Sequence, residues 1–278
     1  MTGRIVLVGT PIGNLGDLSS RAVAALRDAD AVFCEDTRRT RKLLSASSIP
    51  APKLYALHQH NEEAASRHAL SMAESGAQIA VVSDAGMPGI SDPGSVLVRI
   101  AAEAGVALEI VPGPSALVVA LVASGLPTDR FCFEGFLPRQ GRERAERLRQ
   151  ISAETRTVVL YEAPHRARKT LADLAGACGA DRQVAVAREL TKIHEEIRRG
   201  TLGEASRWVQ ESEPRGEWAI VVAGAPPAGE PTDEDILSAL RERFDAGATK
   251  RVAVDEVAGA LGLSRRRVYQ LALDATAS

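Results

Sequence analysis

The chain has 278 residues, of which 45% are hydrophobic and 25% charged, and its formal net charge is -2. That is the balance of an ordinary soluble globular protein with a full core and room for two domains and a small appendage, and no apolar run is long enough to cross a bilayer. Cys34, Cys132 and Cys178 form no C-x-x-C pair, which argues against a disulfide framework or zinc site, and a first strand without a basic and apolar leader points to the cytoplasm.

Residues 4 to about 125 alternate two patterns. Strands are predicted over 4–9, 31–35, 53–57, 78–83 and 107–111, with helices over 19–29, 37–46, 61–75, 93–104 and 114–124. Such alternation predicts a doubly wound, mostly parallel sheet. Gly125-Leu126-Pro127 then interrupts the helix pattern. Four further strand-like runs, at 131–136, 157–161, 183–188 and 217–223, suggest a second α/β domain whose strand directions periodicity leaves open. Gly224 to Pro231 reads as a linker. Beyond it, helices are expected over 233–244, 252–260 and 265–274, with Thr232 and Asp235 as a capping box, Gly262 as a stop and Ser264 as the next cap. The spacing fits a helix-turn-helix, and equally a small packing bundle.

Three of the apolar runs end in glycine and proline. Ile5 to Val8 leads into GTPIGNLGD, Ile79 to Val82 into SDAGMPGISDPG, and Leu108 to Val111 into PGPSA. In open α/β sheets, ligands sit beyond the carboxyl ends of strands, and glycine lets backbone approach them closely. The loops fit no phosphate-binding fingerprint and contain no lysine or arginine. Asp84, in the second loop, would repel a polyphosphate and accept from ribose hydroxyls or an ammonium group, so a neutral or cationic ligand is expected there. An Asx turn is the alternative use of Asp84, and helix capping that of Ser115.

Basic residues cluster at Arg38 to Lys42, at Arg139 to Arg149, and at Lys250-Arg251 with Arg265-Arg266-Arg267. Local patches for a polyanion are one reading; solvated helix faces, with Glu143 and Glu146 pairing to neighbouring arginines, are the other. His58 and His60 lack a completing ligand pattern, so no metal is expected, and Asn61 fits the cap of the helix that follows.

The ordered segments GTPIGNLGDLSSRA, ADAVFCEDTRRTRKLL, SDAGMPGISDPG, PGPSALVVALVASGL, FEGFLPR, YEAPHR and RELTKIHEEIRRGTL resemble the ribosomal RNA small subunit methyltransferase I family of the tetrapyrrole methylase superfamily. The likeness runs from about Arg4 to Val222, and the last helices resemble that family's tail. Met87-Pro88-Gly89 departs from the family's usual Thr-Pro-Leu, and His194 replaces a common aromatic residue.

The resemblance implies two α/β domains (1–125 and 126–225) with a cofactor cleft between them, a helical domain over 232–278, and a homodimer with no membrane association. It implies S-adenosylmethionine as donor and the 2′-hydroxyl of a cytidine in the decoding region of 16S rRNA, in the small ribosomal subunit, as acceptor. Ile12, Asp84, Met87, Ser115, Ala116, Ala163 and the GAPP segment from Gly224 would line the donor site. Glu35, Asp36, Glu162, Glu189 and Lys192 are candidates to accept a proton or orient a carboxylate, a lysine base needing a lowered pKa. Arg38, Lys42, His165 and Arg166 would grip RNA phosphates, with an ion-pair network as the alternative, while Arg265, Arg266 and Tyr269 would present a basic, partly aromatic face. Two other functions share some of these features: a C-methyltransferase of corrin or sirohaem precursors, and a ligand-sensing regulator whose tail binds DNA.

Overall fold

The β-branched runs build two five-stranded sheets in the computed structural model, which describes residues 3–211, 215–226 and 231–275. The first contains β1 (Arg4–Val8), β2 (Ala31–Cys34), β3 (Lys53–Ala56), β4 (Gln78–Val82) and β5 (Ala107–Val111) in the order β3-β2-β4-β1-β5. All its neighbours are parallel. The crossovers are α1 (Ser20–Arg27), α2 (Thr37–Ala46), α3 (Glu62–Glu74) and α4 (Ser95–Glu103). Alternate strand residues serve two cores. Ile5, Leu7, Phe33, Ile79 and Val81 face one layer, Val6, Val8, Val32, Ala80 and Val82 the other, which is why these strands read as unbroken apolar runs. The turns entering β4 and β5, at Gly76 and Gly105, lie at the opposite end of the sheet from the three glycine-rich loops.

Asn61 occupies the cap position of α3 without capping it. Its carbonyl accepts from the His58 N–H at 2.8 Å and its amide donates to the Ala56 carbonyl at 3.0 Å, closing the turn after β3 instead.

The second sheet has β6 (Phe131–Phe136), β7 (Thr157–Glu162), β8 (Gln183–Arg188), β9 (Glu196–Thr201) and β10 (Trp218–Val222) in the order β6-β7-β10-β8-β9. Only β6 and β7 run parallel; the other pairings are antiparallel. Its outer face packs α6 (Gly141–Ala153), α7 (Pro164–Cys178) and α8 (Leu202–Glu211). Its inner face, including Val159, Ala185, Ala219 and Val221, receives α5 (Ala116–Ser124) through Ala120 and Leu121, together with Ile12 of the first loop. Through α5 the chain leaves the first sheet and packs on the second. Both sheets accordingly fall within one compact unit, Met1–Gly224, and the second unit is Ala225–Ser278.

Strand β9 has no counterpart among the strands expected from the sequence. Its residues EIRRGT carry no apolar run, and it is a strand because it pairs antiparallel with β8 at the sheet edge, where charge protects against further pairing.

The second unit holds α9 (Asp233–Asp245), α10 (Lys250–Leu261) and α11 (Arg265–Ala275) around Ile236, Leu240, Val254, Val257 and Val268. Thr232 and Asp235 form the expected capping box. Gly262 ends α10 with φ 63°, and the Ser264 hydroxyl accepts from the Arg267 N–H at 3.4 Å. Among the described residues, no helix is long and apolar enough to cross a membrane.

Candidate active site

Because β4, β1 and β5 are neighbours, the loops that follow them meet. The Thr10 N–H donates to the Gly86 carbonyl at 2.9 Å and Gly86 returns a bond at 3.1 Å, joining the first loop to the second. Gly9 donates to the Val111 carbonyl at 2.9 Å at the entry of the third. Here the glycines are needed for closeness: a Cβ on Gly9 would stand 2.6 Å from the Gly113 Cα and 2.7 Å from the Met87 sulfur. Three loops thus make one cradle whose inner surface is largely backbone.

The cradle faces the inner end of the second sheet across a cavity of about 270 Å³. Ile12, Met87, Ser115 and Ala116 line one side, with Gly86 and Asp92; Ala163 lines the other, with Phe136, Tyr161, Glu162, Glu217 and Trp218. Tyr161 fixes the seam, its hydroxyl accepting from the Leu117 N–H at 2.8 Å at the start of α5. Ser115 stands at the α5 cap position but makes no capping bond. Burial raises the Tyr161 pKa, so its hydroxyl stays protonated at neutral pH.

Two expected wall elements lie elsewhere. Asp84 borders a neighbouring groove of about 280 Å³, with Thr10, Pro11, Leu15 and Lys42. Its carboxylate is held there by the Asp36 N–H at 3.1 Å and by Arg39 at 3.2 Å, so it neither faces the cavity nor forms an Asx turn with its own loop. The GAPP segment is also displaced. Since β10 is antiparallel to β7, its first residues reach the cavity and its last ones leave at the far end, where Ala223 bonds to Gln183 and Gly224 packs on Thr155. Pro227 of that segment lies outside the described residues.

Asp92 is the carboxylate of the second loop that faces the cavity. Burial first, and then the charge of Glu35, push its pKa up to about 7, while a Ser83 hydroxyl acts in the other direction. Glu35 and Asp84 are raised as well, by burial and by neighbouring carboxylates, with Arg39 partly offsetting both. Asp36 behaves oppositely: it caps α2, accepting from the Arg38 and Arg39 N–H groups at 2.7 and 3.4 Å, and these bonds lower its pKa. A sequence signal for Asp92 existed in the repeated Ser-Asp pair, Ser83-Asp84 and Ser91-Asp92, of one loop. Glu217 had none, because only the pairing of β10 with β7 brings it to the cavity.

Beyond β8 the chain makes a tight, strained turn. Glu189 and Thr191 take φ of 52° and 64°, an uncommon region for residues with a Cβ and a costly one for threonine, and Leu190 between them is buried against the cavity. Lys192 donates to Glu189 at 2.8 Å and approaches Glu217 at 3.4 Å. Burial would lower its pKa, but these carboxylates raise it overall, so Lys192 is an ammonium ion and not a base. The same contact lowers the pKa of Glu189.

The candidate RNA contacts divide by exposure. The Arg38 side chain is 84% exposed and makes two long contacts with Asp36, at 3.4 and 3.5 Å; Lys42 borders the Asp84 groove and His165 is exposed. Arg166 is turned inward, paired to fully buried Glu162 at 3.1 Å and bonded to the Leu137 carbonyl, so its guanidinium is committed to the wall. Glu162 is also engaged within the wall, accepting from the Thr170 hydroxyl at 2.6 Å and from its neighbour's N–H at 2.9 Å. In the second unit Arg265 and Arg266 share a groove with Lys250, Arg251 and Tyr269, and Arg265 pairs with Asp255 at 3.0 Å. Among the described residues no group of three or more His, Cys, Asp and Glu could hold a metal ion.

Residues 4–206 match the family model of Tetrapyrrole (Corrin/Porphyrin) Methylases. Ribosomal RNA small subunit methyltransferase I from Synechocystis sp. is 45% identical over 98% of this chain and 98% of its own length. The protein of that name from Escherichia coli O157:H7 is 42% identical over 98% and 95%. The crystal structure of uroporphyrin-III C-methyl transferase from Thermus thermophilus complexed with S-adenyl homocysteine is 23% identical and covers 79% of this chain and 97% of its own, with a TM-score of 0.55, a likeness of fold. The chain therefore belongs to the tetrapyrrole methylase family, within the ribosomal RNA small subunit methyltransferase I group.

Proposed function

We propose that this protein transfers a methyl group from S-adenosylmethionine to the ribose 2′-hydroxyl of a cytidine in the decoding region of 16S rRNA, in the cytoplasm. The carrying observation is the cavity itself: apolar over much of its wall, edged by Asp92, Glu162 and Glu217, and lined by no lysine or arginine. Such a wall suits an adenosyl group attached to a sulfonium and an ammonium and repels a polyphosphate. The names of near full-length relatives support RNA over a tetrapyrrole or DNA.

The bound donor would supply an activated methyl group on a positively charged sulfur. Ile12, Met87, Ser115, Ala116 and Ala163 would hold it, and the negative potential of Asp92 and Glu217 would favour its charge; Asp84 acts on that charge from the adjoining groove. Displacement needs the acceptor oxygen in line with the sulfur, so positioning provides most of the acceleration. A ribose hydroxyl is a weak acid, and Glu35, with its raised pKa beside Asp84 and Asp92, is suited to receive its proton. Lys192 keeps Glu189 ionised and oriented. Arg38, Lys42 and His165 grip phosphates next to the cavity, with Arg166 acting from inside the wall, and Arg265 and Arg266 extend RNA contact to the tail. Residues 1–125 and 126–225 form the two walls as functional domains and 232–278 the RNA-engaging tail. Helix α5 leaves Val118 and Val122 50% and 68% exposed one turn apart, an apolar stripe that supports a homodimer.

The test is nucleoside mass spectrometry after incubating purified protein with labelled donor and small ribosomal subunits. Labelled 2′-O-methylcytidine is expected. Label on a base carbon, or on an acidic macrocycle instead of RNA, overturns the acceptor; preference for duplex DNA without transfer supports the regulator.

A further inference from the structure

Two arginines behind the cavity wall hold consecutive carbonyl groups of one short segment. Arg144 is a buried cation, 4% exposed, and burial of a guanidinium is tolerable only when its donors are all engaged. It donates to Asp173 at 2.8 Å, to Thr170 at 3.0 Å and to the Pro138 carbonyl at 2.9 Å. The Thr170 hydroxyl in turn donates a hydrogen bond to Glu162 at 2.6 Å. Glu162 pairs with Arg166, which donates to the Leu137 carbonyl. A continuous line of bonds thus starts and ends on adjacent residues of the segment that follows β6.

The residue just before those carbonyls is Phe136. Its ring lines the cavity and lies 5.8 Å from the Tyr161 ring; the residue is 51% exposed, on an edge strand that has no outer neighbour among the described residues. A register shift between Phe133 and Gly135, with φ 61° at Gly135, re-aims the end of that strand. Beyond the bulge the ladder holds Phe136 on its inner side alone, paired with Tyr161 of β7, and the two arginine bonds fix the chain immediately after it.

We propose that Arg144 and Arg166 are positioning residues: through the carbonyls of Pro138 and Leu137 they hold the Phe136 ring as the outer wall of the cavity, where it covers the aromatic ring of a bound nucleoside. The nucleoside part rests on the donor reading; the clamp itself does not.

Two measurements on the full chain test it. Hydrogen exchange without ligand should be at least tenfold faster at the amides of residues 136, 137, 139 and 140 in Arg166→Gln, with β7 and β10 unchanged, and Arg166→Lys should recover part of the protection. Unaltered exchange at those amides overturns the clamp. If Arg166→Gln does not fold, Thr170→Val cuts the same line with little change of volume and is read identically. In calorimetry with S-adenosylhomocysteine, Phe136→Ala and Arg166→Gln should each weaken binding about tenfold, and the double variant no more than Phe136→Ala alone. Additive losses overturn action through Phe136. If the unaltered protein binds no S-adenosylhomocysteine, the donor reading fails while exchange still decides the clamp.

Discussion

The two sheets reach the cavity by different means. At the ends of β4, β1 and β5 the wall is mainly backbone, held by reciprocal amide bonds and by two glycines in contact. At the ends of β7 and β10 the wall is side chains: Tyr161, Glu162, Glu217 and Trp218, steadied by buried arginines and hydroxyls. Backbone walls are sensitive to volume, because a Cβ has nowhere to go. Side-chain walls are sensitive to the loss of single polar atoms.

The largest effect is expected where backbone closeness is violated. Gly113→Val would set a Cβ 2.7 Å from the Gly9 Cα, with an overpacking cost of about 3 kcal/mol in denaturant unfolding and loss of S-adenosylhomocysteine binding. Unchanged stability and binding would break the contrast. On the other wall, Tyr161→Phe leaves the Leu117 N–H without its acceptor and should cost about 1–2 kcal/mol while removing no volume from the core.

Asp92 sharpens the contrast through pH. Its folded pKa of about 7 lies above the unfolded value, so the folded state keeps a proton that the unfolded state has lost. Stability should decline by about 1 kcal/mol, after allowance for solvent screening, as pH rises from roughly 4 to 7, and then level off. Asp92→Asn should flatten that decline in thermal melts taken across the window. A cationic ligand should bind more tightly as pH rises through 7, an effect the same substitution removes. The smallest effect belongs to the groove outside both walls: Lys42→Ala should raise the RNA concentration for half-maximal methylation about threefold, more at low salt, with donor affinity unchanged. A matching loss of donor affinity would tie the groove to the cavity.

The parts of the molecule legible in the sequence were those governed by local rules. Apolar runs ending in glycine marked β1, β4 and β5 as strands with ligand-side loops, while the grouping of Ile12, Met87, Ser115 and Ala116 came from the family resemblance and the adjacency of the three strands from the sheet order. Long-range pairing hid the rest. The polar strand β9 exists only because β8 offers an edge, and Glu217 and Trp218 reach the cavity only because β10 runs against β7. Asp84 and Asp92 are eight positions apart in one loop, and their exchange of places depends on Arg39 and the Asp36 N–H, contacts that no spacing rule reveals. Arg166 looked like a surface cation because its partner, Glu162, is the buried last residue of β7, four positions earlier.

All five strands of the first sheet run the same way, which leaves the molecule with a working rim and a spare one. The turn at Gly105 belongs to the spare rim, and a Cβ added there would meet nothing within 4 Å. A peptide tag spliced into that turn should therefore be displayed without loosening the ligand cradle, offering a handle for immobilising the enzyme with its cavity turned away from the support.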